Sequence, residues 1–444
     1  MTSTIKSKIT DPSNFADRPD LLMIGMLCAL IAGTIWLLVA TYFSMPVSTT
    51  HTTVGSIIGF AVVANGFDSL NWSVVSDIML SWVLSPVISG VLAACIFVVV
   101  RKFVLEHNDS IRRACIFYPL LVGFTIAVNV FFIIYKGLPG VDDGAIAWWV
   151  AFLACIGGFL VSAAITQFFV VPFVRRRLEA AGDVPANPRE ANILIELGES
   201  ESLPPAEGSD SVPEPNIVGD IPNEVSAPEE PEKKKKQYLW NQNLHEKAFE
   251  DDDWTKEMWA NSKDYDPKTE LMFSYLQVFT ATMDSFAHGA NDVANGIGPF
   301  AAIYALYTNG SISSKSTVPA WILALGGLGI ILGVLLYGYK IIVALGIKLT
   351  KMSASRGFAV EITTALTVVS ASFMGIPVST TQCQVGATTG LGLADGGRKT
   401  VHWPILLKAI LGWVLTIIIS ATISGAIYAF CVYSPSESAP RLVS

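Results

Sequence analysis

The chain has 444 residues, 52% of them hydrophobic and only 15% charged, with a mean hydropathy of +0.50 and a formal net charge of −8. That balance excludes an ordinary soluble enzyme and fits a polytopic membrane protein, because a helix crosses the hydrocarbon layer with roughly 20 apolar residues and the chain offers that length many times. No basic patch with interleaved aromatics points to nucleic acid, and the six cysteines fall in or beside apolar runs without a CxxC pair, which argues against a disulfide framework or a zinc site.

In chain order, residues 1–20 are polar and show no cleavable signal pattern. Five apolar segments follow, at about 21–43, 46–65, 75–101, 114–136 and 145–173. A polar block at 174–270 is rich in Pro, Glu and Ser and is expected to be a disordered acidic loop. Within it, "QYLWNQNLHEKAFEDDDWTKEMW" reads either as a helix on the membrane surface or as a solvated one. Five more apolar segments lie at about 271–306, 318–339, 358–375, 377–394 and 405–432, and 433–444 is a polar tail. The expectation is an all-α membrane protein with about ten segments, some broken or re-entrant, arranged as a first repeat at 21–173 and a second at 271–432. Positive charge sets the orientation. Arg101, Lys102, Arg112 and Arg113, then Arg175, Arg176 and Arg177, and later Lys348, Lys351, Arg356, Arg398 and Lys399 all fall at turns that this topology places in the cytoplasm. The loop at 137–144 has no base and is placed outside, as is 307–317 with its Asn309–Ser311 glycosylation pattern.

The two halves share a sequence. "MPVSTTHTTVGSIIG" at 45–59 recurs as "IPVSTTQCQVGATTG" at 376–390, a constant offset of 331 that also pairs Gly66 with Gly397, Trp72 with Trp403 and Trp82 with Trp413. The copies lie seven segments apart, so they run in opposite directions, the construction of many secondary transporters. Pro46 and Pro377 each start a helix afresh, and the serine beside each can cap it. The free N–H groups and the hydroxyls of Ser48, Thr49, Thr50, Ser379, Thr380 and Thr381 form a donor cluster suited to an anion. A single copy would more simply be a capping and packing motif; two inverted copies favour the site.

The second-half stretch "DSFAHGANDVANGIGPF" places Asp284, His288, Asn291, Asp292 and Asn295 in a membrane-length segment without a nearby base. A carboxylate at that depth needs a cavity or a cation. Amide, hydroxyl and carbonyl oxygens are hard ligands that suit Na⁺, and the glycines are expected to loosen the helix and free carbonyls. His288 reads as a packing residue. Glu361, in "SRGFAVEI", is a second carboxylate in an apolar segment, unless it sits at the interface near Arg356. No Ser-His-Asp, cysteine-based or two-metal constellation supports an enzyme such as a membrane phosphatase.

"GANDVANGIGPF", "SRGFAVEI" and the paired "PVSTT" segments together resemble the inorganic phosphate transporter family, the Na⁺/phosphate symporters, with the fungal-type permeases most similar. The resemblance covers nearly all of the chain outside the central block. It implies inverted repeats, a plasma-membrane location, no enzymatic reaction, and uptake of inorganic phosphate with Na⁺ as the co-transported ion and no cofactor. It assigns Ser48, Thr49 and Thr50 to one half-site, and Asn291, Asp292, Asn295, Glu361, Ser379, Thr380 and Thr381 to the other. Family members carry a "GANDVAN" segment in both halves, whereas this sequence has it once, which reads as a chain without the first two helices. Proton coupling, and a non-transporting relative acting as a sensor or partner, stand as alternatives, and homo-oligomerisation is left open.

Overall fold

The computed structural model describes residues 9–135, 147–180, 252–310, 318–374, 376 and 378–434. Helices account for nearly all of them, and the only β contact among the described residues is an isolated bridge between Thr10 and Leu70. In chain order the helices are α1 (Pro19–Tyr42), α2 (Thr49–Asn65), α3 (Trp72–Val100), α4 (Ser110–Tyr135), α5 (Trp148–Ile165), α6 (Asp253–Asn261), α7 (Pro267–Asn309), α8 (Ala320–Ile342), α9 (Ala354–Phe373), α10 (Thr380–Gly396) and α11 (Trp403–Tyr433). Each of the ten expected segments contains one of them, and α6 is additional. Six are long and apolar enough to cross a membrane: α1, α3, α4, α5, α8 and α11. The remaining long helices, α2, α7, α9 and α10, carry the polar motifs, and the apolar helices pack against them.

The central block is shorter than expected. Helix α5 continues through π-turns at Thr166–Val170 into Val171–Ala180, and α6 and the first turn of α7 also fall within 174–270. The rest of the block, 181–251, lies outside the described residues, as do Pro377 and the end of the Asn309–Ser311 pattern. Of the stretch expected as a surface or solvated helix, 237–251 lies outside the described residues, and its end forms α6. Thr255 and Met258 are buried, and the Trp259 indole donates to Ile347 O at 3.2 Å, so one face of α6 packs on the end of α8 while the other is exposed. Asp252 caps it, accepting from Thr255 N at 3.2 Å.

The architecture follows from two hairpin-like pairs. Ile9 O accepts from Asn71 N at 3.0 Å, which ties the entry to α1 to the exit from α2. Leu349 O accepts from His402 N at 3.0 Å, which ties the entry to α9 to the exit from α10. Each pair therefore enters and leaves at one end of the molecule, and α3 separates the two ends: it starts beside the exit of α2, while Arg101 just past it donates to Ala394 O of α10 at 2.6 Å. Between helices the chain turns sharply. After α1, Ser44 N bonds Thr41 O and Met45 N bonds Ala40 O, with Ser44 left-handed at φ 54°; after α9, Ile376 N bonds Ala371 O in the same way. The two turns come from opposite ends and meet.

Packing exchanges partners between the repeats. A Cβ on Gly55 or Gly59 of α2 would meet the backbone of Ile417 or Ala421 of α11; one on Gly386 or Gly390 of α10 would meet Pro86 or Gly90 of α3. Each position in the second pair is the first shifted by 331, so the sequence repeat is a spatial one and α2 lies on the other repeat's helix, as does α10. Two apolar clusters cap the arrangement. One gathers Phe97, Phe273, Phe358 and Leu391, the other Phe15, Phe60, Ile78 and Tyr428. Among the described residues every Lys and Arg except Arg18 belongs to the half of the molecule where α3, α5, α8 and α10 end, hereafter the basic face.

Substituting Gly59 or Gly390 by Ala places a methyl about 2.1 Å from a backbone oxygen that cannot rotate away. Each is expected to cost roughly 1–3 kcal/mol, to a similar extent, in thermal unfolding of the solubilised protein. Gly296→Ala, which meets open space inside a helix, is expected to hold or raise the midpoint, since alanine gains up to about 1 kcal/mol there.

Candidate functional site

Helix α7 has 43 residues, about 64 Å at 1.5 Å per residue, and is helical without interruption. The glycines do not loosen it. Glycine costs a helix only about 1 kcal/mol relative to alanine, too little to open one held by its neighbours. At Gly289 and Gly296 a Cβ would meet open space. The freed carbonyl comes instead from Pro299, which has no N–H to offer Asn295 O four residues back. Thr53 of α2 reaches that carbonyl through Oγ1 at 3.3 Å, sharing its one hydroxyl proton with Thr49 O at 3.0 Å.

The turns before α2 and α10 meet beside the middle of α7. Ser48 Oγ accepts from His51 N and Ser379 Oγ accepts from Gln382 N, both at 3.2 Å, so both serines act as caps. The first intrahelical bonds are Thr52 N to Ser48 O and Cys383 N to Ser379 O, which places the backbone of 49, 50, 380 and 381 at the positive ends of two helices. Thr50 Oγ1 donates to Val378 O at 3.2 Å and Thr381 Oγ1 to Val47 O at 3.3 Å, a reciprocal clasp between equivalent residues. Thr49 and Thr380, also equivalent, donate to one carboxylate: Thr49 Oγ1 lies 3.5 Å from Asp292 Oδ1, and Thr380 Oγ1 lies 3.3 and 3.0 Å from its two oxygens.

The amides complete the cluster. Asn291 Nδ2 donates to Asp292 Oδ1 at 3.2 Å and reaches Val378 O at 3.4 Å. Asn295 Nδ2 donates to Thr50 Oγ1 at 2.9 Å. Both asparagines are 1% exposed, and the Oδ1 of each is buried without a hydrogen-bond partner. A carboxylate with two unpaired amide oxygens nearby is a hard-oxygen set with unused acceptor capacity, the chemistry of an alkali-cation site. Two convergent helix starts add donors suited to an anion.

Eight of the sequence-derived site residues are therefore brought together with the carboxylate of Asp292: Thr49, Thr50, Thr380, Thr381, Asn291 and Asn295 through side chains, Ser48 and Ser379 as caps. Glu361 is not among them. It accepts from Thr280 Oγ1 at 2.6 Å and from Gln277 Nε2 at 3.2 Å, five residues along α9 from Arg356. Twelve residues of α7 separate Thr280 from Asp292, about 18 Å of helix. Asp284 lies between, with His288 Nε2 3.2 Å from its carboxylate, so the histidine has a titratable partner. Gln277, Thr280, Asp284, His288, Asn291 and Asn295 recur at three- and four-residue steps and form one polar stripe along α7. Sequence reasoning overlooked Gln277, Thr280 and Thr53. The stripe spacing identifies the first two in retrospect, and Pro299 signals that something must serve Asn295 O; nothing in the sequence says that it is Thr53.

Residues 1–424 match the family described as the phosphate transporter family. The chain is 30% identical to the phosphate-repressible phosphate permease of Neurospora crassa, over 98% of this chain and 88% of that protein. It is 26% identical to the human sodium-dependent phosphate transporter 1, over 98% of this chain and 88% of that protein. A solved structure titled "The sodium-dependent phosphate transporter" superposes with a TM-score of 0.69 at 29% identity, covering 97% of this chain and 84% of that one.

The clasp can be tested by symmetry. Thr50→Val and Thr381→Val each leave a carbonyl, Val378 O or Val47 O, without its hydroxyl donor. Each is expected to lower unfolding free energy by roughly 1–3 kcal/mol, and the double variant by less than the sum, read from thermal melts.

Proposed function

The chain belongs to the phosphate transporter family, and from that premise we propose that it carries inorganic phosphate across the plasma membrane in symport with Na⁺. The observation that carries this reading is the convergence of Thr49 and Thr380, from two oppositely inserted helix starts, on the single carboxylate of Asp292. The place where two helix N-termini would hold an anion is occupied by a fixed negative charge. A phosphate approaching it is repelled, by roughly 4 kcal/mol per pair of unit charges at 4 Å and an effective dielectric of 20. A cation held by Asp292 and the unpaired Oδ1 atoms of Asn291 and Asn295 removes that repulsion. It also releases the threonine hydroxyls from the carboxylate, so that they can turn to phosphate oxygens. Each solute then favours the other, which is the linkage that symport requires.

In this reading Ser48, Thr49, Thr50, Ser379, Thr380 and Thr381 provide the phosphate cradle, the serines by fixing the helix starts and the threonines by direct donation. Asn291, Asp292 and Asn295 hold Na⁺. Glu361, bonded to Gln277 and Thr280, is a separate cation station along the same stripe. The basic face is cytoplasmic, because loop Lys and Arg accumulate there. Proton coupling is the second reading, supported by the row of titratable groups Glu361, Asp284 and His288 leading along α7 toward Asp292.

Purified protein in proteoliposomes, given labelled phosphate outside and an imposed Na⁺ gradient, is expected to accumulate phosphate. Accumulation driven equally by a proton gradient without Na⁺ would favour the second reading, and accumulation under neither gradient would overturn both. Asp292→Asn keeps the shape and removes the charge. It is expected to lower Na⁺-driven uptake at least tenfold while folded yield stays near that of the parent. Unchanged Na⁺ dependence in that variant removes Asp292 from the site.

A further inference from the structure

A cavity of about 450 Å³ opens on the basic face, away from Asp292, between the end of α1, the last turns of α8 and the first turn of α11. Its lining includes three lysines, Lys340, Lys348 and Lys408, and one carboxylate, Asp252. The lysines are held in different ways. Lys340 donates to Tyr42 O at 2.9 Å and lies 4.6 Å over the Tyr42 ring. Lys408 reaches Phe43 O at 3.5 Å. Both serve carbonyls that the end of α1 leaves without helical donors, a neutral substitute for a counter-ion. Lys348 has a charged partner, but Asp252 Oδ2 is 3.6 Å away, beyond a good hydrogen bond. That carboxylate is already engaged by Thr255 as the cap of α6 and lies 3.4 Å from His402. Three ammonium groups thus face one preoccupied anion. The local excess is two positive charges, the charge of a phosphate monoester near neutral pH. The space is within the roughly 300–1,000 Å³ of small-molecule sites and much larger than a bare phosphate needs, given about 30 Å³ per water. On one side α8 presents Leu335, Leu336 and Ile342 outward, so the cavity stands where a lipid headgroup and the aqueous phase both reach it.

We propose that this cavity is a second anion site, which takes a dianionic phosphate group between Lys340, Lys348 and Lys408 and frees Lys348 from Asp252. Binding there bears on α6, because the carboxylate that pairs with Lys348 also caps that helix. None of the residues bonded to Asp292 lines this cavity, although Ser44 and Pro46 of the turn before α2 do, so it adjoins the back of that turn. The phosphate group is carried either by a membrane lipid or by a soluble species, and the experiment separates the two.

The full chain is reconstituted in nanodiscs of phosphatidylcholine. Its thermal midpoint is followed against phosphatidylinositol 4-phosphate in the disc, soluble inositol 1,4,5-trisphosphate, and inorganic phosphate, all in Na⁺-free buffer and in the Asp292→Asn background so that the cradle beside Asp292 does not contribute. Phosphatidylserine at matched charge serves as a control without a monoester. At least one phosphate source is expected to raise the midpoint saturably, and phosphatidylserine is not. A response to the lipid alone assigns a headgroup; a response to soluble species assigns a free phosphate. In the triple variant Lys340→Gln, Lys348→Gln, Lys408→Gln the half-saturating concentration is expected to rise at least tenfold. Lys399→Gln, on the same face but outside the cavity, leaves it unchanged. Should the triple variant not fold, Lys408→Gln alone decides, with an expected rise of about threefold. A shift that survives these substitutions, an equal response to phosphatidylserine, or no response to any source overturns the proposal.

Discussion

The constraint on which the rest of the structure depends is the solvation of the Asp292 carboxylate. An ionised group at membrane depth must be given by protein what water would have given it. Asp292 receives hydroxyls and an amide, but no base: Thr49 and Thr380 from two different helix starts and Asn291 beside it. For both threonines to reach one carboxylate, the turn after α1 and the turn after α9 must come to the same point. They are anchored at opposite ends of the molecule, so each must penetrate from its own end. The reciprocal clasp between Thr50 and Val378, and between Thr381 and Val47, then follows as the way two such turns satisfy their own backbone.

Penetration in turn decides which helices are polar. Six helices are apolar enough to face lipid along a membrane-crossing length, and α2, α7, α9 and α10 can keep serines, threonines and amides because other protein covers them. The site lies between two apolar clusters, one around Phe97 and Phe358 and the other around Phe60 and Tyr428. The two clusters share α3 and α7 and differ in the rest: α4, α9 and α10 enter the first, α1, α2 and α11 the second.

Much of this was legible in the sequence. The offset of 331 that pairs "PVSTT" with "PVSTT" is also the offset that pairs Gly59–Ala421 with Gly390–Gly90, and Trp72 donating to Phe67 O with Trp403 donating to Arg398 O. Residue chemistry picked out Asn291, Asp292, Asn295 and the two hydroxyl runs, and the structure gathers them at one point. What it could not supply was partnership. Periodicity shows that α2 and α10 have a bare glycine face but not which helix covers it, because both candidates have suitable small residues. The same limit put Glu361 in one site with Asp292: motif order along the chain carries no distance, and the residue that Glu361 bonds on α7, Thr280, lies twelve residues before Asp292, about 18 Å of helix. The glycines of α7 were misjudged for another reason. Local propensity near 1 kcal/mol is overridden when neighbouring helices fix the backbone. Proline was the better signal, since it removes a hydrogen bond whatever the packing.

The exchange of partners also has a meaning in time. Helix α2 is complete at Asn65, yet the helix against which its glycines close, α11, begins at Trp403, more than 330 residues later. At roughly 5–20 residues per second of synthesis, α2 waits about 20–70 s for that surface to exist. During this interval its small-residue face and its hydroxyls must be sheltered by provisional neighbours or by whatever inserts the chain. The first repeat cannot be a finished folding unit, and neither can the second, because α10 closes on α3. Assembly therefore comes late and all at once. A lesion near the C-terminus, far from Thr49 in sequence, would leave the first half of the protein inserted but unable to close.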